Sequence, residues 1–474
     1  MEYRLDIEEI KKDFVFKEST DSKFRLQQNT GRKFKLLPYT TKKFDDNSTS
    51  LEGIAGDFSR LISGKNYKMD FNINSLCKLI IDRVEVNECD IEIIKNIFTE
   101  VLFNKNGDIT VFHPIIFNYK IKQNDKNDKE SKISRLLHSV LFDDILKEKV
   151  DNMYGNKPKN LLLRLVIDSL PKLNDDFKVN KEAYVNYVPF VKQVFTEDFE
   201  YMFSNEKFYV EELERVLKYY YFFYVSQLTL KINKMFDADI TKPDPLYFHL
   251  ESERVSKSRT SYSTGWESYL SDKIENLFSH AICLEFLNHN LVNDNKKFTY
   301  VDLKNITNKM NEVEKEALNN DLEVLIDLYV SHIQDVDWDL FNFIPTTNDE
   351  CLKKVYELFR RIEFQFLQSE KNRHILRKRY YLWFLEFCKK YFLKRHGPLG
   401  YTLNLSQDYL ILITRLCIKG RDKIGVKTLF LEFEKRGLFF DRNTKEAIMK
   451  MFEKLNLLEK KSDSGDAQYV KAIL

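Results

Sequence analysis

The apolar positions in the last part of the chain predict three short helices followed by two strands. Steps of three and four residues place apolar side chains on one face of each helix. These side chains are Tyr409, Leu410, Ile413, Leu416 and Cys417 in the first helix, Val426, Leu429, Phe430 and Phe433 in the second, and Ile448, Met451, Phe452 and Leu455 in the third. Residues 457–461 and 467–473 then predict two strands around a polar turn at 462–466. This order is typical of a winged helix-turn-helix.

The third of these helices is the candidate for DNA contact. Gly437 is suited to the left-handed conformation that ends the second helix, and the Asn443 side chain can cap the third. Since the start of the recognition helix enters the DNA major groove, the candidate contacts are Arg442, Asn443, Lys445 and Lys450. The alternative is a protein-docking module. From Asp408 onward the chain contains 14 Lys and Arg and 10 Asp and Glu, and this small excess of positive charge favours DNA binding only weakly.

The first 122 residues predict an N-terminal α+β region with one hairpin. The pattern indicates a strand at 33–39 and a short helix near 7–14. Longer helices are predicted at 51–62, 74–83 and 90–101. The pair Asn106-Gly107 between apolar residues indicates a hairpin within 102–120. The polar run 123–132 that follows predicts an exposed loop.

Residues 133–396 predict a helical domain, because their apolar positions keep a helical period between the prolines. The run 219–230 is apolar all round and too short to cross a bilayer, so it predicts a core helix. Gly397-Pro398 closes this domain and opens a winged-helix domain at 397–474. The predicted fold is mainly α: a multi-helical body, a small N-terminal β-containing part and a C-terminal winged helix-turn-helix.

Net charge, cysteine spacing and the N-terminal segment restrict the expected partners and cellular location. The chain has 75 Lys and Arg against 73 Asp and Glu, so DNA contact would depend on local patches rather than on net charge. Its six cysteines are dispersed and form no C-x-x-C pair, which indicates reduced thiols. The N-terminus has no apolar segment typical of a signal peptide. We therefore expect a cytoplasmic protein with no membrane contact.

The candidate catalytic and metal-binding patterns are weak. Gly56 lies eight positions before Gly64 instead of five, and Asn66 replaces the Ser or Thr of a phosphate-binding loop. Three clusters resemble metal sites only loosely: Asp244, Glu251 and Glu253; His332 with Asp335, Asp337 and Asp339; and His280, Cys283 and His289. We predict no catalytic residue, metal or cofactor, and whether the chain is an enzyme stays open.

Two basic stretches are further candidates for nucleic-acid binding. In 254–266, three cations stand among six Ser and Thr hydroxyls, and the candidates are Arg254, Lys257, Arg259 and Trp266, the last for stacking on a base. In 371–395, cations flank an aromatic stripe, and the candidates are Arg373, Arg377, Lys378 and Arg379. The alternatives are a mobile polar loop for the first stretch and buried aromatics with solvated cations for the second.

Three segments of the chain stand out together: 221–228 (YFFYVSQL), 396–405 (HGPLGYTLNL) and 455–470 (LNLLEKKSDSGDAQYV). They resemble the DptG family, the G component of the bacterial DNA phosphorothioation-dependent restriction system. The resemblance implies a role in restricting DNA that lacks phosphorothioate modification. It also implies the F and H components of that system as partners, one of them ATPase-like.

Residues and resemblance together predict a non-catalytic accessory or scaffold subunit of such a restriction complex. It would contact double-stranded DNA and bridge partner subunits, and a partner would supply any ATP hydrolysis. The alternatives are a metal-dependent nuclease with dispersed ligands and a winged-helix transcriptional regulator.

Overall fold

The computed structural model is mainly helical, as the sequence predicts. It describes residues 3–16, 26–42, 51–66, 73–82, 87–103, 109–120, 129–174, 184–292, 296–369, 373–460 and 468–473. The helices of the first half are α1 (Ile7–Asp13), α2 (Ile54–Ser63), α3 (Ile73–Ile81), α4 (Ile91–Leu102), α5 (Lys129–Leu141), α6 (Asp144–Gly155), α7 (Leu161–Ser169), α8 (Pro189–Phe203) and α9 (Glu206–Ile232). Those of the second half are α10 (Thr260–Ser263), α11 (Ser271–Glu275), α12 (Leu277–Leu287), α13 (Tyr300–Thr307), α14 (Glu312–Ser331), α15 (Glu350–Gln368), α16 (His374–Tyr391), α17 (Gln407–Ile418), α18 (Val426–Lys435) and α19 (Arg442–Lys454).

Helix α9 is the central element of the molecule. It is buried at every position from 216 to 232, which confirms the core helix predicted at 219–230. A helix that is apolar all round must be covered on all sides, and α8 and α12 are among the helices that pack against it. Within the described residues, none of the helices combines the length and the apolar character needed to cross a membrane.

Two small sheets complete the fold. The first has the order β2-β3-β1-β5, and its strands are β1 (Tyr247–Leu250), β2 (Leu393–Arg395), β3 (Tyr401–Leu405) and β5 (Phe439–Phe440). In it, β1 runs parallel to both β3 and β5, while β2 runs antiparallel to β3. The second sheet is antiparallel with the order β4-β7-β6, and its strands are β4 (Lys423–Gly425), β6 (Leu458–Lys460) and β7 (Gln468–Lys471).

A single main apolar core includes side chains from Tyr3 to Val470. This core therefore contains side chains from all three predicted domains, 1–122, 133–396 and 397–474. The division of the chain into these domains stays a prediction. A smaller cluster joins α3, α4 and α7 through residues such as Cys77, Phe98 and Val166.

A buried ion pair connects the C-terminal helices to the body. Arg436, at the end of α18, places its Nη2 2.5 Å and its Nε 2.9 Å from the two carboxylate oxygens of Asp198 on α8. Tyr220 of α9 donates to the same carboxylate at 2.6 Å. Both charged side chains are buried: Arg436 is 1% exposed and Asp198 is 0% exposed. The docking of α18 on the body thus depends on a charge pair that water does not reach.

The segment predicted as a strand at 33–39 is irregular. The backbone N–H groups of Gly31, Arg32, Lys33 and Phe34 donate to the buried carboxylate of Glu285 on α12, at 2.7–3.1 Å. A strand in a sheet would donate to neighbouring backbone carbonyls instead. The strand predicted at 33–39 is therefore wrong, because these amides bind a side chain instead of a neighbouring strand.

Other local predictions need correction as well. The helical domain predicted at 133–396 also contains β1 and β2, which are too short to show an alternating pattern. The predicted loop 123–132 ends earlier, because α5 begins at Lys129, and 121–128 lies outside the described residues. Phe103 and Ile109 form an antiparallel bridge, while the predicted Asn106-Gly107 turn lies outside the described residues, as does the turn at 462–466.

Candidate nucleic-acid interface

The outer face of α19 and the strands β6 and β7 enclose an open groove of about 670 Å³. We call it the α19 groove. Three cations line it, Arg442, Lys445 and Lys450, together with the carboxylates of Glu446 and Glu453. Its apolar lining consists of Phe440, Met449 and Leu458. The groove therefore brings together three of the four residues predicted to contact DNA on this helix.

The cations of the groove are held only by surface interactions. Arg442 has a side chain that is 91% exposed, and its Nε lies 3.1 Å from Glu446 Oε1. Lys445 Nζ lies 3.5 Å from Glu434 and 5.1 Å from the ring centre of Phe430. Exposed ion pairs are worth only about 0–1 kcal/mol, so either cation can turn towards a phosphate at small cost.

Helix α19 begins two positions before the predicted start, because Asp441 rather than Asn443 is its N-cap. The Asp441 carboxylate accepts the backbone N–H of Thr444 at 3.0 Å. Because Asp441 carries out the capping, the Asn443 side chain is left exposed on the first turn of the helix. An aspartate placed directly before a helical pattern is a cap signal visible in the sequence, and this one was missed.

Asp441 is also bound by an arginine from a distant part of the chain. Arg259 donates from Nε to Asp441 Oδ2 at 3.0 Å and from Nη2 to Oδ1 at 2.7 Å. The same Nη2 lies 2.8 Å from Thr444 Oγ1 and 3.0 Å from Glu253 Oε1. We call Arg259, Glu253, Asp441 and Thr444 the Arg259 clasp. Its three charged side chains are only 9–12% exposed.

The clasp changes the electrostatics of Asp441. Burial alone would raise the pKa of this carboxyl group. The hydrogen bonds from Arg259 and from the Thr444 N–H outweigh the burial and hold the Asp441 pKa well below its usual range. Asp441 therefore stays ionised throughout the neutral pH range, and the cap and the clasp persist together.

The clasp connects the loop 251–258 to the first turn of α19. Arg259 Nη1 donates to the carbonyl of Arg254 at 2.9 Å, and the Arg254 and Lys257 side chains are exposed. Lys394 of β2 donates to the carbonyl of Glu251 at 2.7 Å, so a further exposed cation borders the same loop. Two stretches predicted separately from the sequence thus meet. The basic surface, as we define it, consists of Arg254, Lys257, Arg442, Asn443, Lys445 and Lys450.

Other predicted contacts lie in the interior or bind the protein itself. Trp266 is 1% exposed and its ring lies 6.3 Å from that of Phe384, so its faces are not accessible for stacking on a base. Arg377 is buried, and it donates to the Glu275 carbonyl at 2.9 Å and to Asn276 Oδ1 at 2.6 Å. These contacts do not fit a role in nucleic-acid binding.

The remaining predicted cations are Arg373, directly before α16, and Lys378 and Arg379 on it. Arg373 Nη2 lies 2.9 Å from Asp335 Oδ1, and Arg379 Nη1 donates to the Thr41 carbonyl at 3.1 Å. Lys378 is exposed. The aromatic stripe of α16, including Trp383 and Phe384, is buried in the main core. Most cations of this helix therefore connect it to the rest of the body.

The loose metal-site candidates are also engaged in internal contacts. The two oxygens of Asp244 lie 2.8 Å from Lys231 Nζ and 2.8 Å from Lys234 Nζ. Burial lowers the pKa of Lys231, and Asp244 opposes that shift. His280 stacks on Phe359, with ring centres 4.1 Å apart. Among the residues that the structure describes, no group of three or more His, Cys, Asp or Glu is arranged to hold a metal ion.

No protein-family model matches the chain, and no curated protein matches it.

Proposed function

We propose that this chain is a non-catalytic accessory subunit that binds double-stranded DNA through the basic surface at the start of α19. The Arg259 clasp is the observation that carries the proposal. Through Arg259 it joins the backbone of Arg254 to Asp441, the residue directly before Arg442, although the two stretches lie far apart in the sequence. Cations and amides clustered around the start of one exposed helix suit both phosphate oxygens and base edges.

The order of elements supports the interpretation of residues 407–471 as a winged helix. A helix, a short strand, two helices and two further strands follow one another as α17, β4, α18, α19, β6 and β7. Strand β4 pairs with β7, so the hairpin is held against the helices. In this arrangement α19 is the recognition helix and the β6–β7 hairpin is the wing.

The charge of the surface predicts its binding behaviour. A net charge of +2 gives little long-range attraction, and Glu446 and Glu453 reduce the field inside the groove. Affinity would therefore come from a few close phosphate contacts, each of which releases a counterion and makes binding weaker as salt rises. Binding of modest strength with a clear salt dependence is the expected result.

The resemblance to the DptG family extends this proposal to a restriction complex. In it, the chain would act as a scaffold that brings DNA to the F and H components, with ATP hydrolysis supplied by an ATPase-like partner. The interpretation is supported by the departures of residues 56–66 from a phosphate-binding loop and by the lysines on both oxygens of Asp244. A nuclease built on Asp244, Glu251 and Glu253 would need that carboxylate for a metal ion.

DNA binding by the purified full chain, measured by fluorescence anisotropy over a salt series, tests the proposal. The variants are Arg254→Ala/Lys257→Ala and Arg442→Ala/Lys445→Ala. Each pair should weaken binding and reduce the slope of log affinity against log salt by about one for every cation that contacts a phosphate. The matched control is Lys157→Ala/Lys207→Ala, which should leave both quantities unchanged. Lys157 lies between α6 and α7 and Lys207 on α9, and their side chains are 53% and 84% exposed. Absence of binding at low salt, or equal effects of all three pairs, contradicts the proposal.

The apolar lining of the α19 groove favours one second candidate, a winged helix that docks a protein. Met449 and Leu458 are partly buried there, next to Phe440. If DNA binding is absent, Met449→Ser should weaken assembly with a partner subunit, whereas Lys450→Ala should have little effect. The reverse order of effects would exclude apolar docking at this groove.

A further inference from the structure

The connection between α14 and α15 holds three aromatic side chains against the outer face of α15. The ring of Trp338 lies 5.9 Å from that of Phe364, and Phe341 lies 5.4 Å from the same ring. Phe343 lies 5.7 Å from Phe341 and 6.3 Å from Tyr356. The aromatics therefore form a continuous row on the surface of the helix.

Large aliphatic side chains beside this row point into solvent. Leu340 is 66% exposed, Ile344 is 82% exposed and Leu367 is 56% exposed. Leu340 and Ile344 are chain neighbours of Phe341 and Phe343, and Leu367 follows Phe364 by one helical turn. Contiguous exposed apolar groups with polar neighbours are typical of interaction surfaces.

This row is fixed in place before any partner binds. The guanidinium carbon of Arg361 lies 4.4 Å from the ring centre of Phe341, and Glu357 holds the same guanidinium at 2.7 Å. Trp338 Nε1 donates to the Ile333 carbonyl at 2.9 Å. A surface that is already ordered loses little conformational entropy on binding.

The charge of the segment determines the kind of partner. Residues 333–350 contain Asp335, Asp337, Asp339, Asp349 and Glu350 but no Lys or Arg. Asp335 is paired with Arg373, whereas Asp337 and Asp339 are exposed on either side of Trp338. Such a surface repels nucleic acid and attracts positive charge. Its carboxylates also serve the loop itself, since Asp337 accepts the backbone N–H of Asp339 at 3.1 Å.

We propose that this acidic aromatic surface docks a basic, amphipathic segment of a partner protein. Apolar side chains of the partner would pack on Leu340, Ile344 and Leu367, and its Lys and Arg would face Asp337 and Asp339. The inference rests on the proposed bridging function and deepens it, because DNA and the partner protein then occupy surfaces of opposite charge on one chain.

A synthetic helical peptide serves as the probe, with Leu on one face and Lys on the other and a length of about 18 residues, or about 27 Å. Its binding to the full chain is measured by fluorescence anisotropy. Two peptides provide the reference: a scrambled one of equal composition, and one with Glu in place of Lys. The amphipathic basic peptide should bind at least about tenfold more tightly than either, because only it matches the apolar row and the carboxylates together.

Two pairs of substitutions separate the apolar and the charged contributions. Leu340→Ser/Ile344→Ser should weaken peptide binding at least about tenfold, since exposed anchor side chains dominate small interfaces. Asp337→Asn/Asp339→Asn should weaken it and reduce its salt dependence. The control Ile145→Ser/Leu161→Ser removes side chains that are 68% and 81% exposed elsewhere, and it should have no effect. Circular dichroism checks that each variant is folded.

The outcomes distinguish this inference from the proposed function. DNA binding by Leu340→Ser/Ile344→Ser should equal that of the unaltered chain, so a failure of DNA binding leaves the peptide result interpretable. Equal binding of the scrambled peptide, no binding of the amphipathic peptide, or an equal loss in the control pair overturns the inference. Self-association of the chain that disappears in Leu340→Ser/Ile344→Ser would also overturn it, because a second copy would then cover the surface.

Discussion

Replacing Arg259 by Ala tests whether the clasp organises the start of α19. The substitution leaves the carboxylates of Asp441 and Glu253 without their shared cation, and both lie within 3.3 Å of Thr444 Oγ1. Removing one partner of a buried charge pair costs about 3–5 kcal/mol. Since these side chains are 9–12% exposed rather than fully buried, we expect the lower end, about 3 kcal/mol.

Hydrogen exchange of the α19 backbone amides is the suitable assay, because it measures local opening in a chain of this size. Arg259→Ala should reduce the opening free energy in the first turns of α19 by about 3 kcal/mol. DNA affinity should fall with it, although Arg259 itself contacts no DNA in the proposed arrangement. Arg259→Lys keeps the charge but not the two-pronged geometry, so its loss should be intermediate.

The double variant Arg259→Ala/Asp441→Asn provides the decisive comparison. Asn still caps a helix well, and it removes one of the two unpaired carboxylates. It should therefore recover part of the stability that Arg259→Ala loses. A loss below about 0.5 kcal/mol in the single variant, the size of an ordinary surface substitution, would refute the reasoning, as would a double variant less stable than the single one.

Three further predictions concern stability. Arg436→Met should cost about 3 kcal/mol in urea unfolding because it removes both close guanidinium contacts of the buried Asp198 carboxylate and leaves Lys419 Nζ at 3.7 Å, and adding Asp198→Asn should recover part of the loss. No recovery would contradict the ion-pair argument. Gly437→Ala should lower the thermal midpoint, since its φ is 77° and the new Cβ would lie 2.5 Å from a buried phenylalanine ring of α9. An unchanged midpoint would show that the ring moves freely. The Asp441 pKa is lowered by folding, so its stabilisation is complete above the unfolded value of about 3.9 and is lost as pH falls below it. The difference in unfolding free energy between the unaltered chain and Asp441→Asn should therefore shrink between about pH 5 and about pH 3, and a constant difference would contradict this.

Periodicity and turn residues are enough to predict those elements of the fold that depend on neighbouring residues. The all-round apolar run of α9 indicated a central helix, and steps of three and four located α17, α18 and α19. Gly437 has the positive φ that its position after α18 predicted. The acidic composition of 333–350 is equally visible in the sequence. Each of these features depends on side chains within one or a few turns of each other, and periodicity records that information directly.

Which cations face solvent depends on contacts between distant parts of the chain, and the sequence pattern does not record these. Arg254 and Arg259 both appeared in one basic stretch, yet Arg254 is exposed whereas Arg259 binds Asp441, 182 positions away. Arg377 likewise belongs to a basic stretch of the sequence, yet it is buried and binds residues about 100 positions earlier. The backbone N–H groups of residues 31–34 likewise donate to a distant side chain, the carboxylate of Glu285. Long charged side chains have apolar stems and several donors, so packing partners that are remote in sequence decide whether they bind the protein or a ligand.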